Sequence, residues 1–198
     1  MGTIKTTNIE PIADNGTVTL GSSGDTFTIP SGVTLANSGT ATGLGITVAQ
    51  QWRVTSNFNS TSGVVTVTSN WEAVDTYGQG TIGSAMSESS GVFTFPQTGI
   101  YHVSFQASAF MDGAARDYVG VFIYTTTDNA SFNQAALAYD SAHTGNAYGN
   151  ISTNFIFDVT NTSTHKVRFA TQVPGSINFE GSSDTNKCFA TFIRLGDT

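Results

Sequence analysis

The run from Gly91 to Phe105, GVFTFPQTGIYHVSF, leaves this chain little freedom in how it folds. Phe93 and Phe95 alternate on one side of a first segment, and Tyr101, Val103 and Phe105 alternate on one side of a second. Between them, Pro96 to Gly99 carry turn chemistry. A period of two on both sides of a turn predicts two β-strands joined by a tight corner, each with one apolar face.

The same pattern recurs to the end of the chain. Strands are predicted over Gln51 to Phe58, Val64 to Asp75, Gly91 to Phe95, Gly99 to Phe110, Asp117 to Thr126, Ser131 to Tyr139, Ile151 to Val159, His165 to Val173 and Lys187 to Leu195. No segment keeps a helical period, and the nearest competitor, Asn129 to Tyr139, is short and uncapped. Many antiparallel strands with Gly- and Asn-rich turns predict an all-β sandwich or jelly roll over residues 46–198.

Residues 1–45 read differently. Short β-like words, Thr17 to Leu20, Thr26 to Ile29 and Val33 to Leu35, are separated by Gly, Ser and Pro, and Val18 to Phe27 and Leu20 to Ile29 both step by nine. Each word has one apolar side and is too short to bury it alone, so a thin β-rich stalk of three chains is expected. Thr40 to Gly45 reads as a hinge.

Two head strands are apolar on both faces. Val119, Val121 and Ile123 oppose Tyr118, Phe122 and Tyr124, and Phe189, Ile193 and Leu195 oppose Cys188, Ala190 and Phe192. Only one face of each strand can point into a sandwich, so the other is expected to meet a second subunit. Tyr118, Phe122, Tyr124 and Phe192 are the candidate interface residues.

Charged residues make up only 11% of the 198 residues, and the net charge is −7. Solubility then depends on Ser, Thr, Asn and Gly, as on extracellular and virion surfaces. Seven scattered Lys and Arg residues give no phosphate-binding patch, which argues against nucleic acid as a partner. Lys166 and Arg168 alternate with Val167 and Phe169 and are read as the wet face of a strand. Cys188 is the only cysteine, so neither an intrachain disulfide nor a Cys-based zinc site is expected. No apolar stretch follows Met1 and no run is long enough to cross a membrane as a helix. Synthesis in a host cytoplasm without a secretion signal is the expectation.

The corner run resembles the globular head of the first complement component's q subunit and, more loosely, tumour necrosis factor. There a similar G-x-F-x-x-P-x-x-G-x-Y-x-F run joins two jelly-roll strands. The closing strand Lys187 to Asp197 is similar to the last strand of those heads, although no collagen repeat precedes this one. The stretch Asn8 to Leu35 resembles stalk segments of marine tailed-bacteriophage structural proteins. These resemblances imply a TNF-like jelly-roll homotrimer on a trimeric stalk, displayed on a virion surface as a fibre, spike or capsid decoration. They also imply an N-terminal anchor to capsid or tail proteins, for which Ile4, Ile9 and Ile12 are the candidates.

Chemistry is sparse. The three histidines fall in separate segments, and no metalloprotease, P-loop or nucleophile-elbow motif occurs. Glu72 with Asp75, and Asp112 with Asp117, read as turn residues. A calcium ion sits on the trimer axis in some relatives of the complement head, but no EF-hand-like ligand run is found here, and no cofactor or metal is expected. Recognition is the better expectation. Loops Met111 to Arg116, Asp140 to Asn150 and Pro174 to Asn186 are expected to share one end of the head and to present Arg116, His143, Tyr148, Phe179 and Asp184 to a host-surface saccharide. A tail-associated receptor-binding adhesin is therefore the alternative to a purely structural protein. A polysaccharide depolymerase and a cytokine-like ligand rank below both.

Overall fold

In the computed structural model the described residues are Ile9, 17–36, 45–61, 63–112, 117–141 and 146–198. The chain divides into two compact units, Met1–Thr42 and Gly43–Thr198. In the first, Asp25 closes a turn on Ser22, accepting from its amide at 2.6 Å, and Val33 N–H donates to the Pro30 carbonyl at 3.2 Å. No β-ladder forms among residues 17–36, and Val18, Leu20, Phe27, Ile29, Val33 and Leu35 all remain exposed. The expected β-words do not pair within one chain, because each is about one strand's minimum length and Gly or Pro ends it before a partner can align.

The second unit contains β1 (Ala49–Val54), β2 (Phe58–Ser60), β3 (Gly63–Thr66), β4 (Trp71–Ala73), β5 (Ser87–Ser89), β6 (Val92–Thr94) and β7 (Gly99–Asp112). It continues with β8 (Tyr118–Thr126), β9 (Asn133–Ser141), β10 (Asn146–Val159), β11 (Lys166–Val173), β12 (Ile177–Phe179) and β13 (Cys188–Gly196). One sheet has seven strands in the order β2-β12-β7-β13-β1-β4, with β10 along the other edge of β7. The second has six, β5-β6-β11-β8-β9, with β3 joining β11. The described pairings are antiparallel, as a sandwich of this kind requires.

Alternation sets the core. Tyr101, Val103, Phe105, Ala107 and Ala109 of β7 point inward, and Phe93, Phe95, Phe169 and Phe192 meet them from both sheets. The rings tile the interior, with Phe105 stacked on Phe169 at 4.8 Å and Phe95 against Tyr101 at 4.6 Å. At the corner, Tyr101 Oη donates to the Gln97 carbonyl at 2.9 Å and so ties the turn to the strand it feeds. Gly99 has φ +144°, and a Cβ there would meet Arg194 Nε at 2.3 Å and the Gly196 carbonyl at 2.6 Å, so the position admits only glycine.

Strand boundaries depart from the sequence reading in four places. Gln51 to Phe58 divides into β1 and β2, and Val64 to Asp75 divides into β3 and β4 around Asn70, which has φ +63°. The segment Ile177–Phe179, read as loop, pairs with β2 and β7 as β12. β10 starts at Asn146, so Tyr148 belongs to a strand rather than a loop.

Candidate interaction surfaces

Each sheet has one face turned away from the core, and these two faces, with one loop cavity, are where function can reside. On the seven-stranded sheet, register aligns Ile156 of β10, His102 of β7, Ile193 of β13 and Ala49 of β1, and Ala49 bridges to Ile82. Their chain neighbours Phe157, Tyr101, Val103, Phe192 and Val48 are buried inward, so this row faces out. Ile156 is 51% exposed and Ile82 49%. Ile100, half-buried, continues the apolar strip on one side, and Ser104, Thr191 and Gln51 form a polar row on the other.

Beside that polar row lies a buried cation. Arg53 is 1% exposed although it faces away from the core, because the chain after β4 folds over it. Its Nε donates to Glu72 Oε1 at 2.7 Å, Nη2 to Asp75 Oδ1 at 2.9 Å and Nη1 to Thr76 Oγ1 at 2.7 Å. Thr76 Oγ1 in turn donates to the Asp184 carbonyl at 3.0 Å, which joins two loops. Glu72 and Asp75, read as turn residues, are therefore the counter-ions of Arg53. Asp184 lines an open cavity of about 310 Å³ together with Thr76, Tyr77, Gln79 and Asn186.

On the six-stranded sheet, Tyr118, Phe122 and Tyr124 gather on the outward face, joined by Tyr139 of β9. Phe122 is 1% exposed, covered by Tyr139 at 5.8 Å and Tyr124 at 6.1 Å, so it is not open to a second subunit. The expectation for Phe192 is also corrected: it is fully buried among Phe93, Phe95 and Phe169, and the outward residues of β13 are Phe189, Thr191 and Ile193. Strand alternation had left both faces of β13 open, and only the register with β7 shows which one points in.

The candidate ligand residues separate in the same way. Tyr148 is 65% exposed and packs its ring 5.1 Å from Phe110. Phe179 is fully buried and stacks on Phe58 at 5.4 Å, so it is a core residue and is withdrawn as a ligand contact. Asp184 is exposed in its loop. Arg116 and His143 lie outside the described residues, as do Ile4 and Ile12 of the candidate anchor and most of the hinge; Ile9 is exposed. Sequence reasoning missed Ile156, Ile82, Arg53, Tyr139 and Gln172, each of which gains its setting from a partner on another strand.

Away from the Arg53 cluster, Cys188 and His165 are buried at separate positions. Cys188 is buried, and burial pushes its thiol well above the usual range. His165 is buried between Thr160 Oγ1 at 3.2 Å and Thr164 Oγ1 at 3.1 Å, with its ring stacked on Phe157. Among the described residues no three His, Cys, Asp or Glu side chains come together to hold a metal.

No family model matches the chain, and no curated protein matches it in sequence. Solved structures do match. Eiger TNF from S. frugiperda superposes with a TM-score of 0.57 at 12% identity, covering 78% of this chain and 95% of that one. A murine APRIL structure gives 0.55 at 13% identity, covering 75% and 98%. A second murine APRIL structure gives 0.54 at 14% identity, again covering 75% and 98%. The fold class is thus all-β, a TNF-like jelly roll.

Proposed function

We propose that this chain is a homotrimeric display protein, a jelly-roll knob with a thin stalk, and that it serves as a structural component of a bacteriophage virion. The observation that carries the self-association is the outward row Ile156, His102, Ile193, Ala49 and Ile82 across the seven-stranded sheet. A monomer leaves this row in water, whereas a closed ring of copies covers it in every subunit. An obligate interface of this kind buries about 2,000 Å² or more in total. The exposed apolar side chains of residues 17–36 support the same reading, since further copies of the segment supply the surface that one chain lacks. Three is the number implied by the complement and tumour necrosis factor heads that the corner run resembles.

The virion role rests on the sparsely charged, Ser-, Thr- and Asn-rich composition and on the likeness of Asn8 to Leu35 to phage stalk segments. Within this reading the chain is not an enzyme and needs no cofactor. Its partners are further copies of itself and, through the region of Ile4, Ile9 and Ile12, capsid or tail proteins. Its place is the virion surface as a fibre, spike or capsid decoration. Electron cryomicroscopy of particles purified from cells making this chain tests it. Threefold knobs on the capsid are the expected result, and absence of the chain from the particle overturns the reading.

Tyr148 favours a second reading, the tail-associated adhesin, because an aromatic ring 65% exposed on a rigid strand is a ready contact for a host-surface saccharide. Threefold knobs on the tail, with adsorption reduced by Tyr148→Ala, would select it.

A further inference from the structure

The outward face of the six-stranded sheet holds an ordered aromatic platform that the self-association reading does not use. Tyr139 of β9, Gly120 of β8 and Gln172 of β11 form one cross-strand row. Tyr139 Oη donates to Gln172 Oε1 at 2.8 Å, so the side chain spans the whole of β8 and lies along the sheet instead of standing off it. Gly120 permits this, because a Cβ there would sit 2.6 Å from Tyr139 Cε1 and 2.7 Å from Cδ1. The ring is held from below by the strand and at its tip by a hydrogen bond, yet it is 50% exposed, so its other side is open. Tyr118 stands beside it at 5.1 Å and 79°, and the two line an open depression.

Further along the same face, Arg168 lies 4.4 Å from the Phe132 ring centroid and 5.4 Å from that of Tyr124. Among the described residues it has no carboxylate partner; its Nε is buried without a hydrogen-bond partner, so a ligand would meet the terminal nitrogens of the guanidinium. Arg168 and Gln172 are two outward positions apart on β11, a separation of about 13 Å at the usual rise per residue. The outward positions of β8, β9 and β11 carry no Asp or Glu, and their charges, Lys166 and Arg168, are both positive in a chain of net charge −7. Lys166 Nζ is already engaged by Thr94 Oγ1 and the Thr162 carbonyl, which leaves Arg168 as the cation available to a ligand.

We propose that this face binds an acidic saccharide, with a sugar ring stacked on Tyr139 and a uronate-type carboxylate on Arg168. A flat ring with one open face suits the apolar C–H face of a pyranose, and the Gln172 amide and the Tyr139 and Tyr118 hydroxyls supply hydrogen bonds at its rim. A planar guanidinium resting on the Phe132 and Tyr124 rings is pre-organised for a carboxylate. One available cation is too few for a nucleic-acid backbone. The exposed apolar surface, mainly Tyr139 and Leu137, is narrow compared with a stable protein interface.

The test is isothermal titration of the full chain with hexagalacturonate, and with cellohexaose as the neutral counterpart. Expected are preferential binding of hexagalacturonate, at least tenfold weakening by Tyr139→Ala, and loss of the acidic preference in Arg168→Gln. Tyr139→Phe, which keeps the ring and loses only the bond to Gln172, should weaken binding less than Tyr139→Ala. It serves as the folded comparison should the alanine variant unfold. Tyr148→Ala should bind as the parent does. No binding of hexagalacturonate, equal binding of cellohexaose, or loss of binding in Tyr148→Ala but not in Tyr139→Ala overturns the proposal. Each outcome is read without reference to subunit number, so failure here leaves the trimer reading to be judged by native mass.

Discussion

The Tyr101 hydroxyl donates a 2.9 Å hydrogen bond to the Gln97 carbonyl, four residues back, while its ring lies buried against Phe95 at 4.6 Å. One side chain therefore fixes both the depth of β7 in the sandwich and the path of the turn that feeds it. Tyr101→Phe keeps the ring and loses the bond, and is expected to cost about 1 kcal/mol in urea denaturation. Gly99→Ala is expected to cost more than about 1 kcal/mol, because the methyl group meets Arg194 and the Gly196 carbonyl in a backbone region unfavourable to other residues. Burial also raises the Tyr101 hydroxyl above its ordinary pKa of 10.0, so the stability it contributes is full below about pH 10 and falls as the pH rises beyond it.

Arg53 gives a second, more local test. Its guanidinium is fully enclosed, whereas Asp75 is largely in solvent and Glu72 is about one-third exposed. Arg53→Ala removes the packing of β1 against the loop after β4 and leaves Glu72 unpaired, and a loss of roughly 3 kcal/mol is expected in chemical denaturation. Asp75→Asn removes only the solvent-exposed partner, and a loss under about 1 kcal/mol is expected. Equal losses from the two variants would contradict the enclosed geometry.

Asp128 sets an acid limit on the turn between β8 and β9. Its Oδ1 accepts from Thr126 Oγ1 at 2.7 Å and from the amides of Ser131 at 2.8 Å and Ala130 at 2.9 Å, and these bonds hold its pKa at about 2. A carboxylate with a lowered folded pKa contributes stability that is present above its ordinary 3.8 and is lost as the pH falls through about 2. Asp128→Asn should flatten the stability profile between those values, and denaturation midpoints measured across that range check it.

What was legible in the sequence is what a period of two can encode. The corner at Pro96 to Gly99 and the inward set Tyr101, Val103, Phe105 follow from alternation, whereas on β8 alternation only separates Val119, Val121 and Ile123 from Tyr118, Phe122 and Tyr124, and burial shows that the first set points in. Positions set by partners far along the chain did not. Nothing in the sequence around Arg53 marks it as enclosed; Glu72, Asp75 and Thr76, some twenty residues on, close over it. Phe179 follows Pro174 and Gly175 and so reads as loop, yet the three-residue β12 places it in the core. The platform residue Tyr139 depends on register across three strands and on a bulge between its strand and β8, which alternation within one strand cannot express.

The proposed trimer requires copies of this chain to cover the Ile156, His102, Ile193, Ala49 and Ile82 row. Sedimentation equilibrium of the full chain tests it most directly, alongside an Ile156→Asp and Ile193→Asp double variant with native circular dichroism. Three times the mass of one chain is expected for the parent, and a shift toward single chains for the variant. A parent that sediments as a single chain at micromolar concentration would contradict it.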